Sequence, residues 1–226
     1  MTAEVDALRK VLDALEQVRI FPLPSSVLIP GGHLPLHVFE PRYRALVADA
    51  LASDQVVGIP LLEAGWEADY EKKPPVRPIM GVGVIRAADR MADGRFNIVV
   101  EGVVRARIAE ERPTDTPYRV VRAELVAESL PPEKELEIQV QAQMLRQLAV
   151  DLAAALPDPS GPSFAQACIR EKHPGKLADL AAAAVLIDTR ERQEFLEETD
   201  VSRRLQLASD ALAQTLLHVM GGGVPS

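Results

Sequence analysis

The chain has 226 residues, of which 47 % are apolar and 26 % charged, with a formal net charge of −8 at pH 7. This composition excludes a disordered acidic tail and is sufficient for a buried core. The acidic balance disfavours nucleic-acid binding, which needs clustered Lys and Arg to replace phosphate counterions. A single cysteine, Cys168, excludes an internal disulfide and suits a reducing compartment. Without a bilayer-length apolar run or a signal-peptide core, a cytoplasmic location is expected.

Residues 1–18 predict an amphipathic N-terminal helix. Val5, Leu8, Leu12, Leu15 and Val18 recur every three or four positions, with charged residues between them. Because these side chains cannot favourably face water, we expect the stripe to lie against the barrel described next or against a second copy of the chain.

Residues 19–128 carry mainly strand signals, punctuated by prolines and glycines. One helix is expected to begin at Pro41, because proline fits the first helical turn. The Asp93-Gly94 dipeptide predicts a tight hairpin turn between two alternating strands. Strands this short and closely spaced predict a small closed or half-closed β-barrel.

Residues 129–220 change to a helical apolar period and predict a bundle. Leu145, Leu148, Leu152 and Leu156 form one stripe, and Asp200 is placed to cap a long last helix. Residues 221–226, GGGVPS, have nothing to bury and predict a flexible tail. The expected fold class is α+β: a β-barrel, then a C-terminal helical bundle, with an extra N-terminal helix.

Four blocks stand out, in this order: IFPLPSSVLIPGGHLPLHVFEPRYRALV, GVGVIRAADRMADGRFNIVVEGVVRARI, DTPYRVVRAEL and HPGKLADLAAAAVLIDTRERQEFLEETDVSRRLQLASDAL. Together they resemble the N-terminal, substrate-recognising domain of the Lon protease family, over about residues 18–218. The resemblance implies a PUA-like β-barrel followed by a helical bundle that binds protein substrates. The helix of residues 4–18 lies ahead of the family pattern.

The sequence contains no G-x-x-x-x-G-K-[ST] phosphate loop and no candidate Ser-Lys nucleophile region. We therefore expect a stand-alone, non-catalytic module that binds exposed apolar segments of client or partner proteins. No cofactor and no membrane partner are expected. A homo-oligomer and a separate ATPase or protease remain open as partners.

Trp66 and Tyr70 are the candidate protein-binding residues. They lie in the polar, proline-rich stretch EAGWEADYEKKPPVRP, between two predicted strands. Large aromatics in such a loop are suitable anchors for a partner, because aromatic side chains dominate binding hot spots. The alternative is that both side chains fold back to cover the barrel.

Other candidate sites have simpler interpretations. His33, His37 and Glu40 offer too few ligands for a closed zinc site, so no metal is expected. Cys168 has no activating base nearby and is interpreted as a small buried apolar residue. Phe39 and Tyr43 are expected to anchor the Pro41 helix to the barrel. An RNA-binding PUA-like module is the alternative function, through arginines on neighbouring strands and their turn: Arg86, Arg90, Arg95, Arg105 and Arg107.

Overall fold

The computed structural model describes residues 3–69, 73–156 and 161–221. Internal contacts divide the chain into two units, Met1–Val126 and Ala127–Ser226. The first unit contains α1 (Ala3–Ala14), a 3-10 turn (Leu15–Gln17), β1 (Val18–Ile20), β2 (His33–Val38), α2 (Pro41–Leu51), β3 (Val56–Ile59), a second 3-10 turn (Trp66–Asp69), β4 (Ile79–Arg90), β5 (Phe96–Arg112) and β6 (Arg119–Leu125).

The strands of the first unit close into a ring. β4 pairs with β5 and β3, β3 pairs with β1 in parallel, and β1 pairs with β6. The 17-residue β5 is long enough to pair with β2 through its first half and with β6 through its second half, which closes the barrel. The predicted α+β class is confirmed, and of the two predicted forms, closed or half-closed, the barrel has the closed one.

Glycines in β4 and β5 make room for a chain segment inside this unit. Val27, Leu28 and Ile29 are almost fully buried. A Cβ added at Gly81 would overlap the Leu28 carbonyl oxygen, and one at Gly102 would overlap the Ile29 carbonyl oxygen. Glycine is therefore needed at both positions for the close approach of another backbone.

Two local predictions in the first unit are also confirmed. The Asp93-Gly94 turn joins β4 to β5, with Gly94 at a φ of +82° and its N–H donating to the Met91 carbonyl at 2.9 Å. α2 begins at Pro41, and its buried face includes Leu46 and Val47.

α1 packs on the barrel, but through a different face from the one predicted. Its buried residues are Ala7, Val11 and Ala14, which join an apolar cluster with residues of β1, β3 and β4. The larger residues of the predicted stripe are exposed instead: Val5 at 48 %, Leu8 at 40 % and Leu12 at 42 %, while Val18 belongs to β1. Small side chains let the helix approach the sheet closely, which the leucine face would prevent.

The second unit is helical. It contains a 3-10 turn (Pro132–Lys134), α3 (Glu135–Ala155), α4 (Gly161–Arg170), α5 (Pro174–Val185), α6 (Thr189–Glu197) and α7 (Val201–Met220). α3 packs against α4 and α7, and α5 packs against α7. The predicted cap is confirmed, because the Asp200 carboxylate accepts hydrogen bonds from the Ser202 and Arg203 amides. No described helix is both long and apolar enough to span a bilayer.

The boundary between the units falls after Val126, two residues before the predicted one. Glu128 pairs with Arg204 of α7, and the Ser129 N–H donates to the Thr199 carbonyl at 2.8 Å. These contacts attach residues 128 and 129 to the helical unit. Residues 222–226, within the predicted flexible tail, lie outside the described residues.

Candidate protein-binding surfaces

The loop that carries Trp66 leaves the barrel between β3 and β4. At its base Leu62 and Val76 form an antiparallel bridge. The Glu63 N–H donates to the Pro75 carbonyl at 3.0 Å, and the Arg77 N–H donates to the Leu61 carbonyl at 2.8 Å. The base of the loop is therefore a short two-stranded ladder, which holds the two ends of the loop together.

Side chains of β5 and β6 hold the returning arm of this loop. The Arg119 guanidinium donates to the Pro74 carbonyl at 2.8 Å and to the Glu111 carboxylate at 3.0 Å. Lys73 forms an ion pair with the same carboxylate at 2.8 Å. Partial burial opposes ionisation of Glu111, but Lys73 and Arg119 outweigh it and hold the pKa of this carboxyl below its usual value.

Trp66 lies in the 3-10 turn Trp66–Asp69, directly after Gly65, whose φ is +86°. Its side chain is half-buried. This exposure lies between that of a side chain folded back to cover the barrel and that of an exposed anchor for a partner. Tyr70 lies outside the described residues. The assignment of Trp66 and Tyr70 as protein-binding residues therefore stays a prediction.

A second candidate surface lies on α3 and was not predicted. Three apolar side chains are strongly exposed along it: Leu136 at 76 %, Val140 at 53 % and Met144 at 61 %. Their spacing of four residues places them on one side of the helix. Exposed glutamines lie among them, and we name the whole set the α3 strip: Leu136, Gln139, Val140, Gln143, Met144 and Gln147.

The α3 strip lies opposite the face that builds the core. Ile138, Ala142, Leu145, Ala149 and Leu152 are the buried residues of α3. The helix thus has two apolar faces, whereas a surface helix ordinarily has one. The sequence signal for the second face was the Leu-Val-Met series at intervals of four, between residues 136 and 144.

Two of the three residues considered for a metal site, His37 and Glu40, have other partners. His37 Nδ1 forms a hydrogen bond with Asn97 Oδ1 at 2.7 Å, and Glu40 pairs with Arg42 at 2.9 Å. Within the part of the chain that the structure describes, no three His, Cys, Asp or Glu side chains are grouped to hold a metal ion.

The five arginines of the RNA alternative do not form an open basic patch. Arg105 is buried, Arg86 pairs with Glu101, and Arg95 pairs with Asp93 at 2.6 Å. The Arg90 guanidinium lies over the Phe96 ring, 5.7 Å from its centroid. Most of these cations are thus engaged within the barrel unit, and Arg107 is exposed.

The expected role of Phe39 is wrong. Tyr43 is buried and stacks on Phe21, with 4.1 Å between ring centroids. Phe39 is 59 % exposed, so Tyr43 fixes α2 to the barrel without it. The residue lies between the end of β2 and the first turn of α2.

Cys168 has the environment of a core residue. Its side chain is fully buried in α4, and this burial raises the pKa of the thiol to about 11. The thiol is therefore protonated near neutral pH, which is the unreactive form for a nucleophile.

The fold is a closed β-barrel unit followed along the chain by a unit of helices. A family model described as the ATP-dependent protease La (LON) substrate-binding domain matches residues 17–214. The chain belongs to this family. The predicted resemblance is confirmed, and α1 lies ahead of the matched residues.

Individual relatives agree with the family. The chain is 30 % identical to Lon protease 2 of Myxococcus xanthus over 204 residues, which cover 88 % of this chain and 24 % of that protein. It is 31 % identical to the Lon protease of Anaeromyxobacter dehalogenans over 197 residues, covering 85 % and 22 %. The chain thus spans about a quarter of the length of these curated relatives.

Solved structures share the fold. The N-terminal domain of the Mycobacterium avium complex Lon protease superposes with a TM-score of 0.66 at 22 % identity, covering 87 % of this chain and 98 % of that one. The Lon N-terminal domain protein from Xanthomonas campestris gives a TM-score of 0.54 at 23 % identity, covering 84 % and 95 %.

Proposed function

We propose that this chain binds proteins that expose extended apolar segments, and that it does so without catalysis of its own. The observation that carries the proposal is the α3 strip, a helix face on which apolar and uncharged polar side chains alternate in solvent. Membership of a substrate-binding family supports the same conclusion.

The composition of the α3 strip suits an unfolded segment. Leu136, Val140 and Met144 offer apolar area, which contributes about 25 cal/mol per Å² removed from water. Gln139 and Gln147 donate hydrogen bonds to the Glu135 and Asp151 carboxylates at 3.3 and 2.8 Å, and a glutamine side chain keeps a further donor and an acceptor for the peptide groups of an extended chain. The absence of charge within the strip avoids the desolvation of ions on binding.

The size of the α3 strip also favours short segments. Residues 136–147 of a helix extend over about 17 Å, since each residue rises 1.5 Å. An extended peptide covers that distance with about five residues, at roughly 3.3 Å each. Met144 adds a flexible, polarisable side chain that adapts to different partners. The strip would therefore select apolar character over a particular sequence.

The Trp66 loop is proposed as a second contact region, with Trp66 and Tyr70 as its aromatic anchors. Its base is fixed by the Leu62–Val76 bridge and by Arg119. A loop held at its base loses less conformational entropy when a partner binds than a free loop would.

Two further observations support binding without catalysis and without RNA. The buried Cys168 thiol is protonated, so the only cysteine does not supply a nucleophile. Most of the arginines considered for RNA are buried, paired with carboxylates or stacked on an aromatic ring. Phosphate contacts would first have to break those interactions.

The proposal is tested with a labelled, permanently unfolded casein as the client. The triple variant Leu136→Gln, Val140→Gln, Met144→Gln should weaken binding about tenfold or more, which corresponds to about 1.4 kcal/mol or more. Ile187→Gln is the matched control, because Ile187 is 74 % exposed in the same unit but lies outside the strip. A triple variant that binds casein as tightly as the control would refute the α3 strip as the site.

Trp66 provides an independent measurement, because it is the only tryptophan of the chain. Adding casein should shift its fluorescence emission, and Trp66→Ala should weaken binding by about 1–3 kcal/mol if it is a hot spot. Unchanged emission together with unchanged affinity would remove the loop from the binding surface.

A further inference from the structure

α1 has an exposed apolar face that its packing on the barrel leaves uncovered. Val5, Leu8 and Leu12 are 48 %, 40 % and 42 % exposed, and the half-buried Leu15 follows them in the next turn. The intervals of three, four and three residues match the a and d positions of a heptad repeat. We name these four residues the α1 seam.

The barrel holds α1 in place beneath this seam. Ala7, Val11 and Ala14 anchor it to the core. The Arg86 guanidinium donates to the Ala3 carbonyl at 3.3 Å, and the Lys10 ammonium donates to the Gln55 side chain at 2.6 Å. A helix that is already ordered does not lose further backbone freedom when it binds, so even a short seam can associate.

The charges beside the α1 seam indicate what covers it. With Val5 and Leu12 at a and Leu8 at d, Glu4 occupies a g position and Arg9 the following e position, and both are exposed. In a parallel pair of identical helices, g of one chain faces the following e of the other. Glu4 of each copy would therefore face Arg9 of the other copy, which gives two opposite-charge pairs.

An antiparallel pair lacks this complementarity. In an antiparallel pair the e positions of one helix face the e positions of the other. If the two helices cross between Leu8 and Leu12, the middle of the seam, the two Arg9 side chains come close together. Like charges directly opposite one another destabilise such a pair. The other seam-side e residue, Glu16, is already bound to Arg112 of its own barrel at 3.1 Å.

We propose that α1 pairs with α1 of a second copy, parallel and in register, through the α1 seam. This inference goes beyond the proposed function, because it concerns self-association and not client binding. A seam of one short helix falls below the roughly 1,200 Å² of a standard stable interface. The dimer is therefore weak, and its population rises with protein concentration.

Sedimentation equilibrium up to about 1 mM, the range of weak association, tests the pairing. The mass of the wild-type chain should rise from 24.6 kDa towards twice that value. Leu8→Glu with Leu12→Glu should stay monomeric, and because both side chains are exposed this variant should keep its circular dichroism spectrum. Leu136→Glu with Val140→Glu on the α3 strip is the matched control and should still dimerise.

Four further variants test the orientation. Glu4→Arg alone and Arg9→Glu alone should each weaken the dimer, and the two together should restore it. Leu8→Cys should form a disulfide-linked dimer with itself, because parallel register places the two positions opposite each other. The native Cys168 does not compete, since it is fully buried.

Three results would overturn the proposal. The first is a wild-type chain that stays monomeric at the highest concentration. The second is a dimer that survives the Leu8 and Leu12 changes, or that is lost in the α3 control instead. The third is cross-linking of Leu8→Cys only with Leu12→Cys in a mixture, which is the antiparallel result.

Discussion

Replacing the buried Arg204 should destabilise the helical unit more than an ordinary surface substitution. Arg204 in α7 is fully buried, and its guanidinium pairs with the Asp179 carboxylate at 2.6 Å and with the Glu128 carboxylate. Asp179 is only 5 % exposed. Arg204→Met would leave this carboxylate buried without its cation, and breaking such a pair costs about 3–5 kcal/mol.

The neighbouring carboxylates provide graded controls. Arg204→Met combined with Asp179→Leu removes both buried charges and should recover most of the loss, because apolar replacement of a buried pair is often neutral or stabilising. Glu128→Gln should cost about 1 kcal/mol or less, since the Glu128 side chain is 34 % exposed and water screens it.

Urea unfolding followed by far-UV circular dichroism measures these differences. We expect the wild type to be the most stable, followed by Glu128→Gln and then by Arg204→Met. The double variant Arg204→Met with Asp179→Leu should be more stable than Arg204→Met alone. The prediction is refuted if the free energy of unfolding of Arg204→Met lies within about 1 kcal/mol of the wild-type value, or if the double variant is less stable than Arg204→Met. Either result would mean that loss of Arg204 does not leave a costly buried charge on Asp179.

Three other substitutions or reactions test the fold. Asp200→Ala should cost about 0.5–2 kcal/mol as a lost N-cap. Burial opposes ionisation of Asp200, but hydrogen bonds from Lys134 and the helix amides lower its pKa below the ordinary 3.8. The wild type should therefore exceed Asp200→Ala in free energy of unfolding by the full amount above pH 3.8, and by less as the pH falls below that value. Urea titrations at several pH values measure this. Cys168 should resist thiol reagents at neutral pH until urea unfolds the chain, as followed by mass spectrometry, because its thiol is buried with a pKa of about 11. Gly81→Ala should lower the melting temperature more than Gly65→Ala, since only the former meets a backbone oxygen, although Gly65 has a positive φ.

Local sequence signals predicted those elements whose cause is local. Pro41 at a helix start, Asp93-Gly94 at a hairpin and Asp200 at an N-cap each act through their own backbone. The α1 face was mispredicted because its sequence contains two apolar stripes. Only the shape of the barrel surface decides that the stripe of Ala7 and Val11, and not the leucine stripe, makes the close contact.

Arg204 and the α3 strip escaped prediction for a related reason. An arginine in a helix is ordinarily solvated, and its burial depends on carboxylates distant in sequence, 25 residues away for Asp179 and 76 for Glu128. The exposed face of α3 has residues that fit a core equally well. Which apolar face is covered depends on the neighbouring helices, and no single-sequence pattern contains that information.

The two exposed helix faces differ in what surrounds them, and this difference separates the two proposed interactions. The α1 seam is flanked by Glu4 and Arg9, and paired charges restrict a helix to one partner and one orientation. The α3 strip itself contains three glutamines, which accept many partners because they both donate and accept hydrogen bonds, and none of its six side chains is charged. Self-association and client binding should therefore be separable by mutation.

A single pair of variants tests this separation. Leu8→Glu with Leu12→Glu should be monomeric in sedimentation and bind unfolded casein with the affinity of the wild-type monomer. The triple glutamine variant of the α3 strip should lose casein binding and still dimerise. If either variant lost both properties while remaining folded, the two faces would act as one surface, and the charged pair beside the α1 seam would not determine which partner each face binds.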